Sequence, residues 1–139
     1  MKKRLLVLGS ADYLPENPGH RLSDEYHNVS TTDMDGILSL ARHVGIDGIV
    51  AYASDPAAPT AAYVAETLGL PTSPFAAVKT LARKDLFRKH LQKNGFLCPR
   101  FFACSSVEDA DLRLKEFSFP LVVKPVDSSG SKGVCILHD

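Results

Sequence analysis

Through the N-terminal half of the chain, short apolar runs alternate with stretches of helical period, and a glycine closes each stretch. Arg4 to Leu8 (RLLVL), ending in Gly9-Ser10, has the form of a buried strand. Asp33 stands where it caps a helix with Ile37, Leu40, Ala41 and Val44 on one face. Gly45 follows at the place of a left-handed stop. Ile46 to Ala53 reads as a second strand. Asp55-Pro56 then supplies a cap and a first-turn proline for a helix carrying Ala61, Val64, Ala65 and Leu68, closed by Gly69. This rhythm predicts an α/β fold with a parallel sheet covered by helices. Between the first strand and Asp33, ADYLPENPGHRLSDEYHN has no helical period and reads as an extended loop.

The pattern changes further on. Ser73-Pro74 opens a helical region that reaches Asn94-Gly95, with Ala82, Leu86, Phe87 and Leu91 as its apolar face. Phe96 to Ala103 suggests a strand. Ser105 and Glu108 form a capping box for a helix with Val107, Ala110, Leu114 and Phe117 in register. Phe119 to Lys124 and Val134 to Leu137 are two more strands, joined by PVDSSGSKG as a hairpin. A hairpin and one helix bury little of their own apolar surface, so the final third reads as the opening of a larger domain.

Composition narrows the function. The 139 residues carry 16 Lys+Arg against 16 Asp+Glu. Zero net charge removes a general electrostatic case for nucleic acid or anionic membranes. The longest apolar runs fall far short of the roughly 20 residues of a transmembrane helix, and no signal-peptide pattern opens the chain. Three cysteines (Cys98, Cys104 and Cys135) make no disulfide framework and include no C-x-x-C pair. The five histidines (His20, His27, His43, His90 and His138) show no ligand spacing, so no metal ligand is assigned. The expectation is a cytoplasmic protein.

The chemistry concentrates between Lys124 and Val134. Two glycines and three serines allow successive backbone N–H groups to turn toward one anion, and Lys124 and Lys132 bracket the loop with positive charge. That combination suits a polyphosphate; a polar hairpin turn is the plainer alternative. Neither the P-loop G-x-x-x-x-G-K-[ST] nor the dinucleotide G-x-G-x-x-G is present.

FPLVVKPVDSSGSKGV resembles the strand and glycine-rich loop of the ATP-grasp superfamily. Upstream, ARKDLFRKHLQKNGFLCPRF resembles the Lys-bearing helix that enters the ATP-grasp fold. Earlier still, DMDGILSLARHVGIDGIVAYASDPAAPTAAYVAETLGLPTSP is similar to the preceding Rossmann-like domain of carbamoyl-phosphate-synthase-like and amino-acid-ligase-like branches. The resemblance implies a shortened Rossmann-like preATP-grasp domain over 1–73, a linking helical segment over 74–95, and an incomplete N-terminal ATP-grasp lobe over 96–139. It implies that Lys124 and Lys84 contact ATP phosphates, and that Ser128, Ser129, Gly130, Ser131 and Gly133 form the loop closing over them. The implied activity is a ligase that activates a carboxylate as an acyl-phosphate for attack by an amine, with ATP and Mg²⁺. The catalytic residues stay unassigned, and the metal ligands and acceptor site are expected beyond Asp139. The chain alone is therefore expected to be inactive and to bind ATP weakly or not at all.

One departure from that family is internal. Gly9-Ser10 runs straight into ADYLPENPG, so the first helix and second strand of the family pattern are expected to be missing. A vacant strand position leaves a sheet edge exposed, and a homodimer is one arrangement that would cover it. Two other functions compete with the ligase fragment. One is a non-catalytic oligomerisation or regulatory module. The other is a dinucleotide-binding domain, weakened by the missing fingerprint.

Overall fold

A computed structural model describes residues 7–138. The chain divides into two compact units, the first reaching Phe75 and the second starting at Ala76. The fold is mixed α/β, with five α-helices and two small sheets among the described residues.

In the first unit, β1 (Gly9–Ala11) and β2 (Glu25–His27) form a parallel pair, with Gly9 opposite Glu25 and Ala11 opposite His27. The strand expected at Arg4–Leu8 lies partly outside the described residues. Its last two positions are not strand, and the ladder falls on the next three. Leu8 marks where pairing begins: its carbonyl accepts from the N–H groups of Asp24 and Glu25 at 2.8 and 3.3 Å.

The region expected to be an extended loop supplies both β2 and a 3-10 helix, Pro18–Leu22. Thirteen residues separate the two strands, from Asp12 to Asp24, which meets the minimum of about a dozen that a parallel crossover needs. Side chains tie this short crossover together. Ser10 Oγ lies 2.8 Å from His20 Nδ1 and 2.7 Å from Ser23 Oγ, and the His20 ring stacks on Tyr26 with centroids 4.1 Å apart.

α1 (Met34–Val44) starts and stops where the sequence indicates. Asp33 Oδ1 accepts from the Gly36 N–H at 3.0 Å, and Gly45 adopts φ 72° as it ends the helix. Only a residue without Cβ takes that left-handed conformation cheaply. Ile37, Leu38 and Ala41 are buried, whereas Val44 is exposed, so the apolar stripe sits one residue round from the expected one.

α2 (Ala58–Thr67) is capped at Ala57 rather than Asp55. Residues 55–57 form a turn, and Pro59 takes the first-turn place assigned to Pro56. Val64 of α2 is fully enclosed and packs with Ile37, Leu38 and Ala41 as the core of this unit. Ile46 and Ile49 pack on that core, but Ile46 to Ala53 is not a strand. It has no ladder with another described segment, and Val50 and Tyr52 point outward. Apolar content alone does not make a strand without a partner edge.

In the second unit, α3 (Phe75–Ala82) and α4 (Lys84–Lys93) replace the single expected helix. Arg83 is extended at φ −104° and ψ 119°, which breaks the helix between them. No strand forms over 96–103. α5 (Val107–Leu114) is capped by Ser106, whose Oγ accepts from the Asp109 N–H at 3.2 Å, one residue later than expected. β3 (Leu121–Val123) and β4 (Cys135–Leu137) pair antiparallel as the expected hairpin, with Val122 opposite Ile136. Those two residues are 59% and 57% exposed. No described residue of this unit is fully buried.

Candidate functional site

The site is built by the β3–β4 hairpin and the start of α4. Lys124 directly follows β3, and the loop 125–134 returns the chain to β4. Three loop residues are left-handed: Gly130 at φ 63°, Ser131 at 58° and Gly133 at 70°. Glycine is needed most at position 133, where a Cβ would lie 2.9 Å from Pro125 Cγ. Ser131 holds the same backbone conformation with a side chain attached, which costs on the order of 1–2 kcal/mol.

The loop folds on itself sparingly. The N–H of Lys132 donates to the Ser129 carbonyl at 3.4 Å, and that of Val134 to the Ser131 carbonyl at 3.3 Å. Ser128 Oγ donates to the Lys132 carbonyl at 2.9 Å. The N–H groups of Ser128, Ser129, Gly130, Ser131 and Gly133 donate to no described residue. These are uncommitted donors on one short segment, the arrangement that favours an anion.

Lys84 reaches this loop from α4. Its N–H donates to the Val126 carbonyl at 2.9 Å, and its Nζ donates to the Ser128 carbonyl. The helix break makes the first bond available. Lys84 is the first residue of α4, where helix N–H groups have no partner inside the helix.

Beside it, Arg83 and Asp85 form an ion pair at 3.1 Å, with the Asp85 side chain 10% exposed. Burial opposes the charge on Asp85. The hydrogen bond and charge of Arg83, with the Leu86 backbone, outweigh it and hold the carboxyl below its ordinary value.

Lys84 and Lys124 face one cavity of about 240 Å³, lined also by Leu81, Phe87, Arg88 and Leu91. It joins an apolar floor to three cationic groups. The Lys124 ammonium pairs with no described residue. The structure thus brings Lys84 to Lys124 at the cavity and to Ser128 in the loop, 40 and 44 residues away in sequence, whereas Ser129, Gly130, Ser131 and Gly133 do not line the cavity. Arg88 is a cavity residue that the sequence reading leaves unassigned. Its position one turn after Lys84 on α4 was the available signal.

The described residues contain no group of three or more His, Cys, Asp or Glu placed to hold a metal. Asp127 alone does not make a Mg²⁺ site, so no step through Mg²⁺ is derived for this chain. No helix among the described residues is long and apolar enough to cross a membrane.

A glycine-rich hairpin loop held against a lysine-bearing helix, preceded in the chain by a small parallel α/β unit, matches the N-terminal regions of ATP-grasp ligases. The comparisons agree on that class. The chain is 31% identical over 134 residues to a formate-dependent phosphoribosylglycinamide formyltransferase of Burkholderia mallei, and 30% identical to that of Burkholderia pseudomallei. Those matches cover 93% of this chain and 32% of the relatives, so the chain spans about a third of the length of the curated relatives it matches.

Among solved structures, the L-amino acid ligase of Bacillus licheniformis is similar over 84% of this chain and 28% of its own. Its TM-score is 0.65 at 30% identity. The N5-carboxyaminoimidazole ribonucleotide synthetase of Thermotoga maritima matches 96% of this chain and 34% of its own, with TM-score 0.65 at 22% identity, a likeness of fold. No family model matches. These relatives are all ATP-grasp superfamily members, and the chain is similar to them in sequence and fold over the matched third of their length.

Proposed function

We propose that the chain contributes the phosphate-binding face of an ATP-grasp carboxylate–amine ligase. One observation carries this reading: Lys84 and Lys124 face the same cavity beside a loop with uncommitted backbone N–H groups. In the complete protein, ATP supplies the phosphoryl group that activates a carboxylate as an acyl-phosphate for attack by an amine. Lys124, unpaired and beside the loop, neutralises phosphate charge as a point cation on a long stem. The N–H groups of Ser128, Ser129, Gly130, Ser131 and Gly133 point-bind the same oxygens without adding charge. Leu81, Phe87 and Leu91 give the cations an apolar wall, which strengthens their field on a bound anion.

In domain terms, 1–73 is the preATP-grasp domain, 74–95 the linking segment and 96–139 the first part of the ATP-grasp lobe. The relatives' names support the reaction class: a formyltransferase dependent on formate and an L-amino acid ligase both act on a carboxylate.

The test replaces the corresponding first third of the Burkholderia mallei formyltransferase with this chain. The chimera turns over ATP with formate, and Lys124→Ala lowers that rate at least about tenfold, the loss of one charge-assisted contact. A folded chimera whose rate is indifferent to Lys124→Ala overturns the assignment.

A further inference from the structure

Beyond its phosphate role, we infer that Lys84 is the positioning residue of the glycine-rich loop, a two-point anchor that sets the loop before any nucleotide arrives. The two bonds serve different parts of one residue. The Lys84 N–H holds Val126 at the loop's entry, and the Lys84 ammonium holds the Ser128 carbonyl two residues on. Both carbonyls precede the left-handed turn at Gly130 and Ser131, so the anchor fixes the direction from which the chain enters that turn.

The helix break is part of the device. Arg83 is extended and pairs with Asp85, and this leaves Lys84 at the first position of α4 with its N–H facing away from the helix. A continuous helix from 75 to 93 would commit that N–H to the carbonyl four residues earlier.

The loop lacks other restraints that could do this work. Its internal bonds are long, at 3.3 and 3.4 Å, apart from the Ser128 hydroxyl bond to Lys132. Charged donors make the stronger hydrogen bonds, so the ammonium bond is the one whose loss should be felt. A consequence follows for the phosphate site. Lys84 Nζ spends one of its three N–H donors on Ser128, so it can hold the loop and still present charge to a phosphate beside Lys124.

The experiment is amide hydrogen exchange by NMR on the 139-residue chain without nucleotide. Its outcome is therefore independent of whether the chain binds phosphate at all. The readouts are the N–H groups of residue 84, Lys132 and Val134. Lys84→Met keeps the backbone donor and removes the ammonium, and is expected to speed exchange at Lys132 and Val134 about fivefold, the scale of one part-exposed charged hydrogen bond. Lys84→Arg, which still donates to a carbonyl, is expected to restore the slow rates, while Lys89→Met on the same helix leaves them unchanged. Circular dichroism confirms that each variant folds. Equal exchange in wild type and Lys84→Met overturns the anchor, as does equal acceleration by Lys84→Met and Lys89→Met.

Discussion

Gly133→Ala isolates what the loop geometry requires. Two costs add at this position. The residue sits at φ 70°, and a side chain in the left-handed region costs about 1–2 kcal/mol. The new methyl would also stand 2.9 Å from Pro125 Cγ and 3.1 Å from Cδ, both in a ring that cannot swing aside. Overpacking of that kind adds about 1–2 kcal/mol. Gly130→Ala provides the control, because φ is 63° there and nothing lies within 4 Å of the added Cβ. It carries the backbone cost alone.

Amide exchange across the β3–β4 ladder reads both variants. Gly133→Ala should open the hairpin by about 2–4 kcal/mol, at least some 30-fold in exchange rate, and Gly130→Ala by about 1–2 kcal/mol. Pro125→Ala combined with Gly133→Ala should recover the difference between them, since removal of the ring removes the overlap. Equal effects of the two glycine variants would refute the close approach to Pro125.

Three further outcomes follow from particular contacts. Asp33→Ala removes the acceptor of the Gly36 N–H and should cost about 1 kcal/mol of thermal stability, read by circular dichroism. Val64→Ala leaves a void at the centre of the first unit's core and should cost about 2 kcal/mol in urea unfolding. Asp85 is held below its ordinary value of 3.8. Its stabilisation is therefore complete above that value and lost as pH falls through the lowered one. Asp85→Asn should remove that part of the acid-side loss, measured as the slope of stability against pH below about 4.

The elements the sequence reveals best are those that carry their own local chemistry. Asp33 and Gly45 bound α1 because a cap and a left-handed stop need only near neighbours. The β3–β4 hairpin is legible because both runs are apolar and the glycine-rich connection is short. The site is legible for the same reason: its lysines and loop residues belong to compact motifs, although only the fold joins Lys84 to Ser128.

Features that depend on distant partners escape. Ile46 to Ala53 and Phe96 to Ala103 have strand-like composition but no ladder among the described residues. β2 is Glu-Tyr-His, with no apolar signature, and exists because β1 offers it an edge. The break at Arg83 is hidden from periodicity, since the apolar stripe continues from Ala82 to Leu86 across it. Its cause is the pairing of Arg83 with Asp85 and of the Lys84 N–H with Val126.

The central claim, that Lys84, Lys124 and the glycine-rich loop of this chain form a phosphate-binding face, is tested most directly by titrating the 139-residue chain with ATP and following backbone amides by NMR. Weak binding, on the order of millimolar, should shift the amides of Lys84, Lys124 and Ser128 to Gly133, with no ADP formed. Lys124→Ala should abolish those shifts. Shifts centred elsewhere, such as the turn after β1, or indifference to Lys124→Ala would contradict the account, and so would measurable turnover of ATP by the chain alone.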